Sequence, residues 1–496
     1  GLVTNLEHRT DAPNHLANYI SSNFGELGEE PNTPRQGTTV AHANVLSNSG
    51  DIYMPVPSER LVSFATVEGI EAALGIDEMK PDDRIPAGLI KMSNGASAVA
   101  HINKRYVLGP DGAHINISGI SGLATKTSYA MFLIQAILQK TEDISKIAVI
   151  ILNVKQADLL QIDRRGPELP VEEMEKWEAL GLEPKPFNSV VYLLPRGNDT
   201  QRTGNPNSFI IPDVYKMYAY DLDRTADKLD FLFTNVSDQS GAFEALTGDI
   251  MAAIQSHDRE FVNVHSWQNL LYGPPLVKDG QSQRWREHYV STVGKFRRHL
   301  RRIVKSRQSG IFVDSRSAAD KVLEDEISKI KGGQVYVVDI ARLYDEEQTL
   351  VFGDLLRTVY ALKAEDDETR NEPVPEKIIF FVDELNKYAP SGQRTSSITE
   401  QVLDIAERGR SLGVILISAQ QFMSAVHSRV TGNSATKILG RTGSSEVLQP
   451  DYRFLDDDLK MSMTRLTQGE LIVNHNVYRQ PVKVIFPRPA YKQEQF

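Results

Sequence analysis

Three stretches of this chain combine residue types that can do chemistry once they are brought to one place. The first is Gly119-Ile-Ser-Gly-Leu-Ala-Thr-Lys126-Thr127-Ser128, which follows a short apolar run at 114–118 and leads into a segment with helical spacing. Small residues in such a turn let backbone N–H groups curl around phosphate oxygens. A lysine there reaches the outer phosphates, and a hydroxyl ligates Mg2+. The helix that follows aims the positive end of its dipole at the anion. Gly119, Ser121, Gly122, Ala124, Thr125, Lys126, Thr127 and Ser128 are therefore candidate contacts to a phosphate-bearing cofactor, with Thr127 a candidate metal ligand. The turn is one residue longer than G-x-x-x-x-G-K-[ST], and Ala124-Thr125 stands where Gly-Lys would be expected. An ordinary glycine-containing strand-to-helix turn with a surface lysine is the plainer reading of this stretch taken alone.

The second stretch is Lys377-Ile-Ile-Phe-Phe-Val-Asp383-Glu384, five apolar residues ending in two carboxylates. A buried parallel strand delivers its last side chains to the carboxyl edge of the sheet, where ligands of open α/β folds bind. Asp383 there suits the Mg2+ shell, and Glu384 suits the orientation and deprotonation of an attacking water. A strand running into an acidic helix cap is the alternative. The third stretch, Arg408-Gly-Arg410 through an apolar run to Ser418-Ala-Gln420, places an amide at another strand end, where it could sense a terminal phosphate or fix the water.

These ends need a sheet to hold them, and the patterning supplies one. Short continuous apolar runs recur at 114–118, 147–154, 190–194, 335–340, 378–382, 414–418, 437–439, 470–473 and 482–486, with helical patterns between most of them. That alternation predicts an α/β fold with a parallel sheet. Before it, residues 1–35 read as an N-terminal arm, and 36–110 as several short strands with turn signals, a small β-barrel or sandwich with a helix near 68–74. The first part of the α/β core spans 111–220, an α-helical insertion 221–330, and the second part of the core with its closing strands 331–496. At roughly 150 residues per domain, 496 residues allow about three.

Composition bounds the rest. Apolar residues make up 41% and charged residues 24%, as in an ordinary globular protein. No apolar run approaches the roughly 18 residues of a membrane span, and the first ten residues lack a signal-peptide layout, so a cytoplasmic address is expected. The absence of cysteine excludes disulfides, thiolate metal sites and cysteine nucleophiles. A net charge of −10 argues against a blanket nucleic-acid coat while leaving room for a local basic surface.

Taken together, the residues before Lys126 (His114-Ile-Asn-Ile-Ser-Gly-Ile-Ser-Gly), Phe381-Val-Asp-Glu-Leu, the run from Arg408 to Gln420 and the ending Gly469-Glu-Leu-Ile-Val resemble the HerA-type ATPases of the HerA–FtsK superfamily. The resemblance covers about residues 36–490. It implies a RecA-like core with a small N-terminal β-barrel and an inserted helical bundle, a hexameric ring, and ATP-driven movement of double-stranded DNA. It also implies a partner nuclease or other effector, in DNA processing or antiphage defence. By motif position it makes Lys126, Thr127, Asp383, Glu384 and Gln420 the nucleotide machinery, with ATP and Mg2+ as cofactors.

A ring site between subunits usually takes an arginine from the neighbour. Arg410 and Arg441 are the two candidates, and either could instead be a structural arginine. The segment 281–310 holds nine basic residues against one acid, Glu287, along an amphipathic helical pattern seamed by Val293, Phe296, Leu300, Ile303 and Val304. Its basic face could contact DNA phosphates, but pore loops are the expected DNA contact in a translocating ring, and the face could instead pair with an acidic subunit or partner. Two rival functions stand beside a DNA translocase: a nucleotide-loaded scaffold ring with little turnover, and a related motor that moves protein in secretion.

Overall fold

The computed structural model describes residues 1–10, 37–48, 50, 58–120, 125–198, 205–236, 238, 240–275, 283–306, 309–364, 373–392 and 396–493. One 13-stranded mixed sheet organises them. Its strands in chain order are β1 (Arg84–Lys91), β2 (Ser97–Asn103), β3 (Ile115–Ser118), β4 (Ile147–Asn153), β5 (Val190–Pro195), β6 (Lys216–Tyr218), β7 (Asp320–Lys321), β8 (Val335–Asp339), β9 (Lys377–Asp383), β10 (Val414–Gln420), β11 (Thr436–Leu439), β12 (Glu470–His475) and β13 (Val482–Ile485). Across the sheet they run β7-β6-β5-β8-β4-β9-β10-β3-β11-β12-β13-β1-β2. From β7 to β11 every pairing is parallel, and from β11 to β2 every pairing is antiparallel.

The central strands are apolar on both faces because both faces are covered. In β9, Ile378, Phe380 and Val382 face one core, while Ile379 and Phe381 face the other. The second core is closed by α1 (Thr125–Gln139). Its residues from Tyr129 to Ile137 are almost entirely out of solvent, so this helix is apolar all round rather than striped. The first core is closed by α2 (Ala242–Gln255), α3 (Val290–Arg301), α4 (Asp345–Ala364) and α5 (Ser397–Leu412). Helix α5 starts at the cap Ser396 and stops at Gly413, which has φ 74°. A Cβ at Gly413 would lie 2.2 Å from the Glu376 carbonyl, so only glycine lets the chain turn from α5 into β10.

Three regions depart from the sequence reading. Leu2–Thr10, expected as part of a loose arm, pairs antiparallel with Gly37–Asn44 in a separate two-stranded ribbon. The hairpin β1–β2 extends the main sheet through β13, and no closed barrel forms among the described residues of 36–110. The interval 221–330 is helical as expected but also contributes β7 to the sheet edge and a short ribbon of Arg284–Trp285 with His288–Tyr289. The apolar seam of α3 is buried as its spacing predicts, with Val293, Phe296, Leu300 and the following Ile303 in the core. Among the described residues no helix is long and apolar enough to cross a membrane.

Candidate nucleotide-binding site

The carboxyl ends of β3, β10, β9 and β4 lie side by side. Register aligns Gln420 with Ser118 and Asp383 with Ala419, so the three motifs read from the sequence arrive at one edge of the sheet. Strand β10 lies between the phosphate-turn strand and the acidic strand, so one strand separates the two.

At the end of β3 the backbone turns at Gly119, φ 155°, where an added Cβ would meet Gly440 Cα at 3.0 Å. Its N–H donates to the carbonyls of Gln420 and Gln421 at 3.2 and 3.1 Å, and the Ile120 N–H donates to the Arg441 carbonyl at 2.8 Å. The entry to the turn is thereby tied to the segments following β10 and β11. Ser121, Gly122 and Ala124 lie outside the described residues, as does the Thr125 side chain. In the first turn of α1, Lys126 folds back and donates to the Gly119 carbonyl at 2.7 Å. Burial lowers its pKa; Asp383 and Glu384 oppose that shift and the charge of Lys155 reinforces it. Thr127 Oγ1 faces Asp383 Oδ2 at 3.5 Å. Ser128 is buried, and its hydroxyl accepts from Gln493 at 3.4 Å.

Asp383, the last residue of β9, accepts the Glu384 N–H on Oδ1 at 2.9 Å. Glu384 has φ 57°, ψ 44°, a left-handed conformation that costs a non-glycine residue about 1–3 kcal/mol. That strain ends the strand abruptly and leaves its carboxylate, 25% exposed, at the sheet edge.

The sequence reading missed Lys155. It stands two residues past the end of β4, and its ammonium donates to Asp383 Oδ2 at 2.9 Å and to Glu384 Oε1 at 2.7 Å. Burial alone would lower its pKa, but the two carboxylates outweigh that and raise it. A lone lysine after a strand carries no pattern. Its only signal is the strand's place beside one that ends in two acids, and strand order is not written in the sequence. Asp158, three residues on, lines the same small cleft as Thr127, Asn153, Lys155 and Asp383. Its pKa is raised by burial and by Asp383, against the lowering effect of Lys155.

Gln420 belongs to the same edge but lies on another face. Asp383 alternates with Val382 and follows Phe381 onto the α1 side, while Gln420 follows Ser418 onto the opposite side. It is fully buried, and its Nε2 donates to Asn116 Oδ1 at 2.8 Å. Asn116 in turn donates to Ser418 Oγ at 3.0 Å, and Gln420 Oε1 has no partner among the described residues. Arg441 is exposed beside the phosphate turn of its own chain. Arg410 ends α5 at the opposite edge of the sheet, donating to the Asp111 carbonyl at 3.4 Å. The seven residues of β10 separate it from Gln420 by about 20 Å. It is therefore outside the site of its own chain.

The residues fit a nucleotide triphosphate with Mg2+. The groups facing one another, Thr127 Oγ1 and the Asp383 carboxylate, are hard oxygen donors of the kind that suits Mg2+. A cationic ammonium already sits on the carboxylates where a metal ion would be held.

No protein-family model matches the chain. It is 25% identical over 248 residues to the DNA double-strand break repair helicase HerA of Saccharolobus solfataricus, a match covering 49% of this chain and 47% of that protein. The chain thus matches about half the length of that curated relative. Among solved structures it is similar to the bacterial conjugative coupling protein TrwBdeltaN70, with 9% identity, a TM-score of 0.49, and 89% of this chain and 98% of that chain covered. It is also similar to TrwB in complex with a non-hydrolysable ATP analogue, with 12% identity, a TM-score of 0.47, and 77% and 87% covered. These distant structural likenesses add nothing to the site.

A phosphate turn, an acidic strand end and an interposed strand ending in glutamine, all at the carboxyl edge of a parallel sheet, define a RecA-like P-loop ATPase core. That core, the motif resemblance and the 25% match to HerA together support a member of the HerA–FtsK superfamily.

Proposed function

We propose that this chain is one subunit of a ring-forming, ATP-driven motor of double-stranded DNA that drives or assembles a partner nuclease or other effector.

 

The ring is a hexamer and its address is the cytoplasm. Lys126 and the backbone of the turn bind the outer phosphates, and Thr127 and Asp383 hold Mg2+. Bound there, the metal neutralises charge on the transferred phosphoryl group. Glu384 orients and deprotonates the attacking water. Gln420 reports the state of the terminal phosphate through Asn116 and the phosphate-turn strand. Arg410 or Arg441 acts on the neighbouring subunit's site. The hairpin β1–β2 with the ribbon before it forms the N-terminal accessory domain, and 221–330 forms the helical insertion.

The observation that carries this reading is the meeting of Lys126, Thr127, Asp383 and Glu384 at one sheet edge. The test is steady-state ATP hydrolysis with and without double-stranded DNA, in this protein and in Glu384→Gln. The motor reading expects turnover that DNA stimulates and that Glu384→Gln lowers by about 100-fold or more. DNA-independent turnover would contradict translocation. A second reading, a nucleotide-loaded scaffold with little turnover, draws support from Lys155, which neutralises Glu384 in the chain as it stands.

A further inference from the structure

The ammonium of Lys155 occupies the oxygens that the proposed chemistry needs. Asp383 Oδ2 accepts from Lys155 at 2.9 Å and also faces Thr127 Oγ1 at 3.5 Å, so the oxygen that would hold the metal is already engaged by a cation. The same ammonium takes Glu384 Oε1 at 2.7 Å, the group that must receive a proton from water. Two cations a few ångströms apart on one carboxylate oxygen repel by several kcal/mol at the dielectric of a protein surface, about 4 kcal/mol at 4 Å. Lysine and metal therefore compete for this position.

Lys155 is built to leave. It lies in the turn after β4, is 41% exposed, and carries a flexible four-carbon stem, whereas Asp383 is 4% exposed and fixed at its strand end. Next to it Gln156 has φ 44°, which turns the chain so that Asp158 faces the same cleft. The Asp158 carboxylate makes no hydrogen bond among the described residues, and it is a ready acceptor for a displaced ammonium.

We propose that Lys155 is a latch: it pairs with Asp383 and Glu384 while the site is empty, and yields to Mg2+ by swinging to Asp158, which frees Glu384 for water. This rests on the nucleotide-site reading above. Lys155 is a positioning residue in this scheme, since it acts through the two carboxylates. The latch explains how a site can bind nucleotide yet keep its general base neutralised until the metal is seated.

The test is Mn2+ binding, followed by electron paramagnetic resonance, to the 496-residue chain mixed with ADP. Lys155→Met should tighten Mn2+ binding about 10-fold, and Lys155→Arg, which keeps the cation, should return it to near the parent value. Asp158→Asn should weaken Mn2+ in the parent and have no effect in the Lys155→Met background, because Asp158 acts only by receiving the lysine. Unchanged or weaker Mn2+ binding by Lys155→Met, with ADP still bound, would overturn the latch and leave the nucleotide site standing. Absence of ADP binding in every variant, the parent included, would overturn the nucleotide site and the latch with it.

Discussion

Two charged regions of this molecule look unlike in the sequence, and the structure reverses their apparent importance. The segment around α3 announces itself with nine basic residues, whereas the sheet edge shows scattered single charges. In the fold the basic residues disperse. Arg286 pairs with Asp258, Arg302 donates to Glu346 at 2.8 Å, and Arg297 donates to the carbonyls of Gly273 and Pro275 at 2.6 and 2.7 Å. Lys305 and Arg301 lie over the Tyr272 ring. At the sheet edge, Lys126, Lys155, Asp383 and Glu384 come from three separate segments and converge on one another, partly out of water. A local run of like charge is solved by local partners, while chemistry is assembled from residues far apart in the chain.

Substitutions can break this contrast. The α3 region should depend on its apolar seam more than on its charge. Phe296 is fully buried, with the rings of Phe233 and Phe243 at 5.1 and 6.2 Å. Phe296→Ala should cost about 3–5 kcal/mol in a urea or thermal unfolding experiment. A loss below 1 kcal/mol would mean the helix is held by its ion pairs instead. Arg302→Ala should cost under about 1 kcal/mol, since the Arg302 side chain is half exposed and such pairs contribute little. A loss of several kcal/mol there would restore importance to the charged face.

Much of the architecture was legible. The continuous apolar runs gave strands because a strand covered on both faces cannot alternate, and the ends at Ser118, Asp383 and Gln420 were placed on one edge by the requirement of a parallel sheet. Lys155 was not legible, because its contact with Asp383 spans 228 residues and depends on β4 lying beside β9. The face of Gln420 was also hidden. It follows from register with Asp383, and a shift of one residue would have sent it to the other side. Leu2–Thr10 escaped notice because a solvated ribbon needs no apolar alternation.

The contrast between the two regions is tested most directly by measuring MgATP turnover and nucleotide affinity in Lys126→Ala and, alongside, in Arg298→Ala on the exposed face of α3. The account predicts that Lys126→Ala lowers turnover by about 100-fold or more and weakens ATP binding, while Arg298→Ala leaves both within about twofold of the parent. Equal losses in the two variants, or undiminished turnover in Lys126→Ala, would contradict the assignment of the sheet edge as the nucleotide site.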